Sequence, residues 1–127
     1  MFQQVEFKNG IYQGQLKRDS LKHGKGVFMW FSGSMYFGSW QNDQPFGEGL
    51  YFAEDGGFIK TFFIKGIPNG LAKVFSASGD IYAGSMNMGY PAGQWMKFSN
   101  VHKSTFRGNI ENGVACDISE AEESLRI

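Results

Sequence analysis

The sequence predicts an all-β protein, an elongated single-layer antiparallel sheet made of stacked β-hairpin repeats. Three observations carry this prediction. An aromatic residue followed two positions later by glycine recurs about every 22 to 24 residues, and a second glycine pair follows it at the same spacing. Short turns of Ser, Asp and Gly separate runs that are rich in aromatic and β-branched residues. Two landmarks that share one period indicate an internal repeat.

The first landmark opens each unit and is followed by an apolar residue two positions after the glycine. Since side chains alternate along a strand, these positions share one face, and the glycine leaves room for a neighbouring ring. The units open Tyr12-x-Gly14-x-Leu16, Tyr36-x-Gly38-x-Trp40, Phe58-x-Lys60-x-Phe62, Tyr82-x-Gly84-x-Met86 and Phe106-x-Gly108-x-Ile110. The third unit fits this frame imperfectly because lysine replaces the glycine.

The second landmark lies in the later part of each unit. In three of the four units proline precedes it, as Pro45, Pro68 or Pro91, and the polar segment at residues 41–45 is expected to be a loop. Further turns are expected at residues 32–34, 55–57 and 78–80. The second landmarks are Gly24 with Gly26, Gly47 with Gly49, Gly70 with Ala72 and Gly93 with Trp95.

This pattern resembles the MORN repeat (membrane occupation and recognition nexus). One unit matches nearly completely, through Tyr36, Gly38, Trp40, Gly47, Gly49, Tyr51 and Gly56, and the unit before it matches through Tyr12, Gly14, His23, Gly24, Gly26, Phe28 and Gly33. Lys60, Ala72 and Trp95 depart from the pattern in the later units. The resemblance covers about residues 11–115, roughly four units and a half. It implies a twisted sheet whose concave aromatic groove receives a helix or peptide.

The two ends of the chain differ from the repeats. Phe2–Phe7 is expected to pair with the strand that begins at Ile11, as a half unit that covers the first edge. At the other end, Ser119 and Glu122 have the spacing of a capping box, which favours a short helix over residues 119–125, with a frayed acidic tail as the alternative. We therefore expect a MORN-repeat domain over residues 1–116 and an acidic tail or short helix over residues 117–127.

Composition narrows the class of function. The formal net charge is zero, so nothing favours nucleic acid as a partner. The single cysteine, Cys116, suits a reducing compartment, and neither a signal peptide nor a membrane span is evident. The expected location is cytoplasmic, in association with the cytoskeleton or a cilium.

Residues that carry chemistry are scarce. The two histidines, His23 and His102, occupy unlike positions in different units, and no zinc spacing, phosphate loop or nucleophile elbow is present. His23 stands where MORN repeats often have histidine, which favours a structural hydrogen bond. We expect no enzyme activity, no metal and no cofactor.

The apolar surface indicates binding, since a single-layer sheet cannot bury both faces unless it twists sharply. The expected function is a non-catalytic scaffold or adaptor, a subunit of a cytoskeletal, ciliary or membrane-associated assembly, which binds a helix or peptide on an aromatic face. Packing between repeats is the alternative role for the same residues. The candidate partner-binding residues are Tyr12, Leu16, Phe28, Trp30, Tyr36, Trp40, Tyr51, Phe58, Phe62 and Tyr82.

Two other functions stay open at the level of the sequence. Lys17, Arg18, Lys22 and Lys25 form a small basic cluster that could meet phospholipid headgroups at a membrane surface. The basic amino-terminal portion and the acidic carboxyl-terminal portion could instead pair two copies of the chain, as a homodimer or within a large complex.

Overall fold

The computed structural model describes residues 2–121 of the chain, except the side chain of Asp19, and folds them into eleven strands and one 3-10 helix at Arg18–Ser20. The strands are β1 (Phe2–Phe7), β2 (Gly10–Leu16), β3 (Lys22–Trp30), β4 (Met35–Gln41), β5 (Gln44–Phe52), β6 (Phe58–Ile64), β7 (Ile67–Phe75), β8 (Ile81–Asn87), β9 (Tyr90–Ser99), β10 (Ser104–Glu111) and β11 (Val114–Ala121).

All strands belong to one antiparallel sheet in which each strand pairs with its neighbours in the sequence, from β1 to β11. This order confirms the predicted stack of hairpins. The pairing of β1 with β2, from Phe2 opposite Gln15 to Phe7 opposite Gly10, confirms the expected half unit at the amino-terminal edge.

Tight two-residue turns join β4 to β5, β6 to β7, β8 to β9 and β10 to β11. In each turn both central residues have positive φ, as a type I′ turn requires. The turn residues are Asn42 with Asp43, Lys65 with Gly66, Met88 with Gly89 and Asn112 with Gly113. The loop expected at residues 41–45 is therefore shorter than predicted, and Pro45 lies within β5, next to a register shift in the β4–β5 ladder.

A line of small residues crosses the sheet at one level, from Gly14 in β2 to Gly84 in β8. Each member is the register partner of the next, in the order Gly14, Gly26, Gly38, Gly49, Thr61, Ala72 and Gly84. Aromatic rings lie against this line: a Cβ added at Gly26 would overlap the Tyr12 ring, and one at Gly49 would overlap the Tyr36 ring. Aromatic packing on glycine therefore joins neighbouring strands, β2 to β3 and β4 to β5.

The third unit has a different frame from the predicted one. Ile59, and not Phe58, is the register partner of Tyr51, and Thr61 is the partner of Gly49. The unit therefore reads Ile59-x-Thr61-x-Phe63. A shift of one residue moves every side chain to the other face of a sheet, which affects two of the candidate residues.

The helix predicted from Ser119 is wrong as far as the structure describes the chain. Residues 119–121 belong to β11, which pairs with β10 and begins at Val114. The strand also crosses the expected domain boundary after residue 116. Tertiary pairing with β10 outweighs the weak local preference of so short a helix. The rest of the expected helix or tail, residues 122–127, lies outside the described residues.

Candidate binding groove

The register divides the side chains into two faces. We call the face that carries Tyr12, Phe28, Tyr36, Tyr51 and Ile59 the aromatic face, since these residues oppose one another across β2 to β6. The other face is called the groove face. Its central row consists of Val27, Phe37, Leu50, Lys60, Lys73 and Ala83, which oppose one another from β3 to β8.

The aromatic face holds the core of the molecule. Tyr12 is fully buried and Tyr36 is 1% exposed, and both rings contact Trp40 edge-on, at centroid distances of 5.5 and 5.1 Å. Phe63 meets Tyr36 edge-on at 5.1 Å. Phe28 is also buried in this cluster. These rings pack against one another and are buried, so they leave little accessible surface for a partner.

The buried tyrosine hydroxyls are satisfied within their own strands. Tyr12 Oη donates to the carbonyl oxygen of Gln15 at 2.7 Å, and Tyr36 Oη donates to that of Ser39 at 2.9 Å. Burial raises the pKa of Tyr36 to about 12, against the backbone hydrogen bond, which lowers it. Burial, and then the nearby Asp43 carboxylate, raise the pKa of Tyr12 to about 12. Both hydroxyls therefore have a structural role.

The structure separates the ten candidate partner-binding residues into four groups. Tyr12, Phe28, Tyr36 and Trp40 are buried, and Leu16, Trp30 and Tyr51 pack against them while partly exposed. Tyr82 is half-buried on the same face and lies below the Lys97 ammonium, 5.5 Å from the ring centroid. Phe58 and Phe62 lie on the groove face, against the expectation from the sequence, because of the shifted frame of the third unit.

An open groove of about 910 Å³ occupies the groove face. Phe2 of β1 and Ala83 of β8 both line it, although β2 to β7 separate them in the sheet, so the sheet curves around this face. Large apolar side chains within it are exposed, among them Phe37 at 54%, Phe62 at 42% and Leu71 at 80%. The apolar lining residues are Phe2, Val27, Phe37, Leu50, Phe62, Leu71, Ala72 and Ala83.

Of the residues in this groove, the sequence analysis selected Phe62 as a partner-binding residue and Lys25 as a lipid-binding residue. The signal was present, because Val27, Phe37 and Leu50 alternate with the aromatic face in their strands. What the sequence could not supply is the curvature that gathers this face into a groove.

The groove carries an excess of positive charge. In the described part of the chain, three basic residues line the groove, Lys25, Lys60 and Lys73, and one acidic residue does, Glu48. Lys60 and Lys73 are direct register partners on β6 and β7. Lys25 Nζ donates a hydrogen bond to Ser39 Oγ at 2.8 Å.

The structure does not bring the predicted basic cluster together. Lys22 is 7% exposed on the aromatic face, where its ammonium pairs with Asp43 at 2.9 Å and lies 4.3 Å from the Phe7 ring centroid. Lys25 lines the groove on the opposite face. Lys17 and Arg18 are exposed at the 3-10 helix. Lys22 and Lys25 therefore lie on opposite faces of the sheet, and the four cations do not form one cluster.

Other kinds of site find no support in the described residues. No three His, Cys, Asp or Glu side chains among them lie close enough to hold a metal ion. No helix in the described part is long and apolar enough to span a membrane. His23 Nδ1 is buried and makes no hydrogen bond within residues 2–121, so this atom does not supply the structural bond expected of His23.

Comparison with known proteins identifies the repeats. The family model of the MORN repeat matches residues 12–35 and 36–58. An "Inactive protein tyrosine kinase pTKL" of Plasmodium berghei is 34% identical over 47 residues, which are 37% of this chain and 4% of that protein. A "Probable serine/threonine-protein kinase" of Dictyostelium discoideum is 44% identical over 41 residues, which are 32% of this chain and 2% of that protein.

The matches to the two relatives lie in the repeat region only. The chain therefore spans only a few per cent of the length of these two relatives. The MORN repeat is a non-enzymatic repeat that takes part in membrane and protein interactions. The two matched units are consecutive, and the hairpins they form continue in the same sheet as far as β11. Residues 12–58 of this chain are two MORN repeats.

Proposed function

We propose that this protein is a non-catalytic scaffold that receives an amphipathic helix or peptide in the groove. The observation that carries the proposal is the exposure of Phe37, Phe62 and Leu71 within one curved apolar surface. Large exposed apolar patches on soluble domains mark interaction sites, and side chains that are already held by a sheet lose little entropy on binding.

The dimensions of the groove suit a helix. Its side walls come from β3 to β8, and five interstrand spacings of about 4.8 Å correspond to a length of roughly 24 Å. A helix of about 16 residues has this length, and its apolar stripe fits a surface that is apolar along its centre. We propose that anchoring residues of the partner enter between Phe37, Leu50 and Phe62.

The two relatives bear on whether this chain has an enzymatic activity. Both are kinases by name, one of them named inactive, and each shares only a repeat segment with this chain. We therefore assign the chain the binding role of the repeat and no kinase activity. A cytoplasmic place in a cytoskeletal, ciliary or membrane-associated assembly stays part of the proposal, as does pairing of two copies.

Selection from a displayed peptide library tests the proposal. The wild-type chain would be immobilised, and enriched peptides would be measured against a Phe37→Asp, Leu71→Asp variant. The matched control is a Tyr90→Asp, Val101→Asp variant, which places the same charges at exposed apolar residues outside the groove lining. Circular dichroism would verify that all three proteins fold.

We expect the groove variant to weaken binding of the enriched peptides by at least about tenfold, since a carboxylate then faces the apolar stripe of the peptide. The control variant should bind as the wild type does. Peptides that bind all three proteins equally, or only the wild type and the groove variant, would contradict the proposal. Capture of phosphatidylserine vesicles in place of peptides would favour the membrane function.

A further inference from the structure

We propose that the outer edge of β1 binds the same edge of a second copy of the chain, so that two sheets continue into one. The inference names a surface for the pairing of two copies and does not depend on what the groove binds. It rests on the polar backbone groups of β1, on the features that close the opposite edge of the sheet, and on the register that two identical strands can adopt.

The backbone of β1 directs half of its polar groups away from the sheet. β2 pairs with its inner side, and no strand within residues 2–121 pairs with its outer side. Phe31 N donates to the Asn9 carbonyl oxygen at 2.9 Å, so the odd-numbered residues of β2 bond to β3 and the even-numbered ones bond to β1. These even-numbered residues oppose the odd-numbered residues of β1. Phe2, Gln4 and Glu6 therefore present their N–H and C=O groups outward.

The edge of β1 lacks the features that close natural sheet edges, namely lysine, proline or a bulge. Its pairing with β2 has no register shift along Phe2–Phe7, and Glu6 supplies its charge. The other edge of the sheet is different. In β11, Asp117 has a positive φ of 53°, and the ladder with β10 shifts register between Arg107 and Asn109. Of the two edges, β1 is the one that is open to a further strand.

The sequence of β1 favours one symmetric register. In an antiparallel pair of identical strands the two-fold axis is perpendicular to the sheet, and opposing side chains lie on the same face. Placing Gln4 opposite Gln4 of the second copy sets Phe2 opposite Glu6, and all of the outward-directed residues then form hydrogen-bonded pairs. Sliding one strand by two residues in either direction loses one of these pairs. The chosen register also keeps the two Glu6 carboxylates apart.

Side chains on the groove face agree with this register. Gln4 Oε1 accepts a hydrogen bond from Gln13 Nε2 at 2.6 Å, which leaves Gln4 Nε2 as a donor towards the second copy. Phe2 is 66% exposed and gains a neighbouring strand in the pair. Because Phe2 lines the groove and the two-fold axis keeps both groove faces on the same side, the pair presents two grooves on one continuous sheet.

Sedimentation equilibrium of the full chain and its charge variants tests the inference. We expect the wild type to form dimers. Gln4→Lys and Gln4→Glu should each weaken the dimer at least about tenfold, since a residue on the two-fold axis then opposes its own charge. An equimolar mixture of the two variants should dimerise again, because lysine then opposes glutamate.

Gln3→Lys and Gln3→Glu are the matched controls. They place the same charges on the aromatic face, where Gln3 opposes Val5 of the second copy, so each should dimerise nearly as the wild type does. Circular dichroism would verify that all variants fold.

Several outcomes would overturn the inference. A wild-type chain that stays monomeric at every concentration would do so, and so would a dimer that the Gln4 variants weaken no more than the Gln3 variants do. Failure of the mixed Gln4 variants to dimerise would show that Gln4 does not lie on the two-fold axis. Assemblies larger than two copies would favour head-to-tail pairing of β1 with β11 in place of the symmetric pair.

Discussion

A ring lying on a glycine is a contact that joins neighbouring strands of this protein. Tyr36 is 1% exposed, and its hydroxyl, Cε1 and Cζ atoms occupy the place where a Cβ of Gly49 would be. Gly49 does not need the left-handed backbone region, since its φ is not positive. The glycine is therefore required for space and not for conformation.

Gly49→Ala should lower the free energy of unfolding by about 1–3 kcal/mol, because the added methyl group displaces a buried ring. Urea denaturation at neutral pH measures the change. Gly56→Asn is the matched control, since nothing lies within 4 Å of its Cβ position and asparagine tolerates the positive φ at this turn. Equal losses in the two variants would show that the ring does not depend on the glycine.

The pair of Lys22 and Asp43 makes stability depend on pH. Desolvation by itself would raise the pKa of Asp43, but the side-chain and backbone hydrogen bonds from Lys22, together with its charge, outweigh that effect and lower the pKa. A depressed carboxyl pKa contributes stability above the unfolded value of about 3.9, and the contribution disappears as the pH falls through the folded value. Acid should therefore weaken the pair.

We expect the free energy of unfolding of the wild type to fall more between pH 5 and pH 3, taken as about one unit on either side of the unfolded pKa, than that of Asp43→Asn. The variant should already be less stable at pH 7, because the buried ammonium of Lys22 then lacks its counterion. Urea titrations at both pH values measure the two effects. Parallel losses in the two proteins would mean that Asp43 does not carry this part of the acid sensitivity.

At the scale of the element, the third unit shows where a repeat pattern misleads. Phe58 and Ile59 are both apolar, and so are Phe62 and Phe63, so each of two frames gives an apolar residue at both positions. A glycine two residues after the aromatic position would distinguish the two frames, but Thr61 occupies this position opposite Gly49. Only pairing with the regular hairpin before it fixes the register, because Gly49 must oppose a small side chain.

The type I′ turns offer a way to stabilise the molecule. Met88 has a φ of 46°, a conformation that costs a side chain without local hydrogen bonding, and half of it is exposed. Met88→Asn should raise the free energy of unfolding by about 0.5 kcal/mol, since asparagine is the preferred residue at this position of the turn.

The reverse change provides the control for this prediction. Asn112 occupies the same position in the turn between β10 and β11, with a φ of 51°. Asn112→Met should lower the free energy of unfolding by about as much as Met88→Asn raises it. Thermal unfolding followed by circular dichroism measures both, and a stabilising effect of Asn112→Met would contradict the argument.

For the whole molecule, the sequence is enough to predict the fold but not the position of the groove. The period of the repeat predicts the sheet, the order of the strands and the half unit at the amino-terminal edge, because these depend on neighbours in the chain. The groove depends on curvature that brings Phe2 towards Ala83, and on the register that sets Lys60 opposite Lys73. Both are properties of the assembled sheet, and the buried aromatic residues, which have the clearest sequence signal, form its core instead.

The core is distributed unevenly along the sheet, and this predicts where the molecule opens first. The buried cluster of Tyr12, Phe28, Tyr36, Trp40 and Phe63 belongs to β2 to β6, whereas Trp95 is the one large apolar side chain buried in the described part of β8 to β11. In a repeat protein each hairpin contacts only its neighbours, so local stability follows local burial.

Amide hydrogen exchange read by mass spectrometry tests this prediction at the level of single hairpins. Amides of β3 to β5 should exchange at least about tenfold more slowly than those of β10 and β11, since opening the carboxyl-terminal hairpin exposes few buried rings. Trp95→Ala should then speed exchange in β8 to β10, where its indole packs on Gly84, and leave β3 and β4 unchanged. Uniform protection from β3 to β11 would mean that the sheet opens as one unit and that its core is not local.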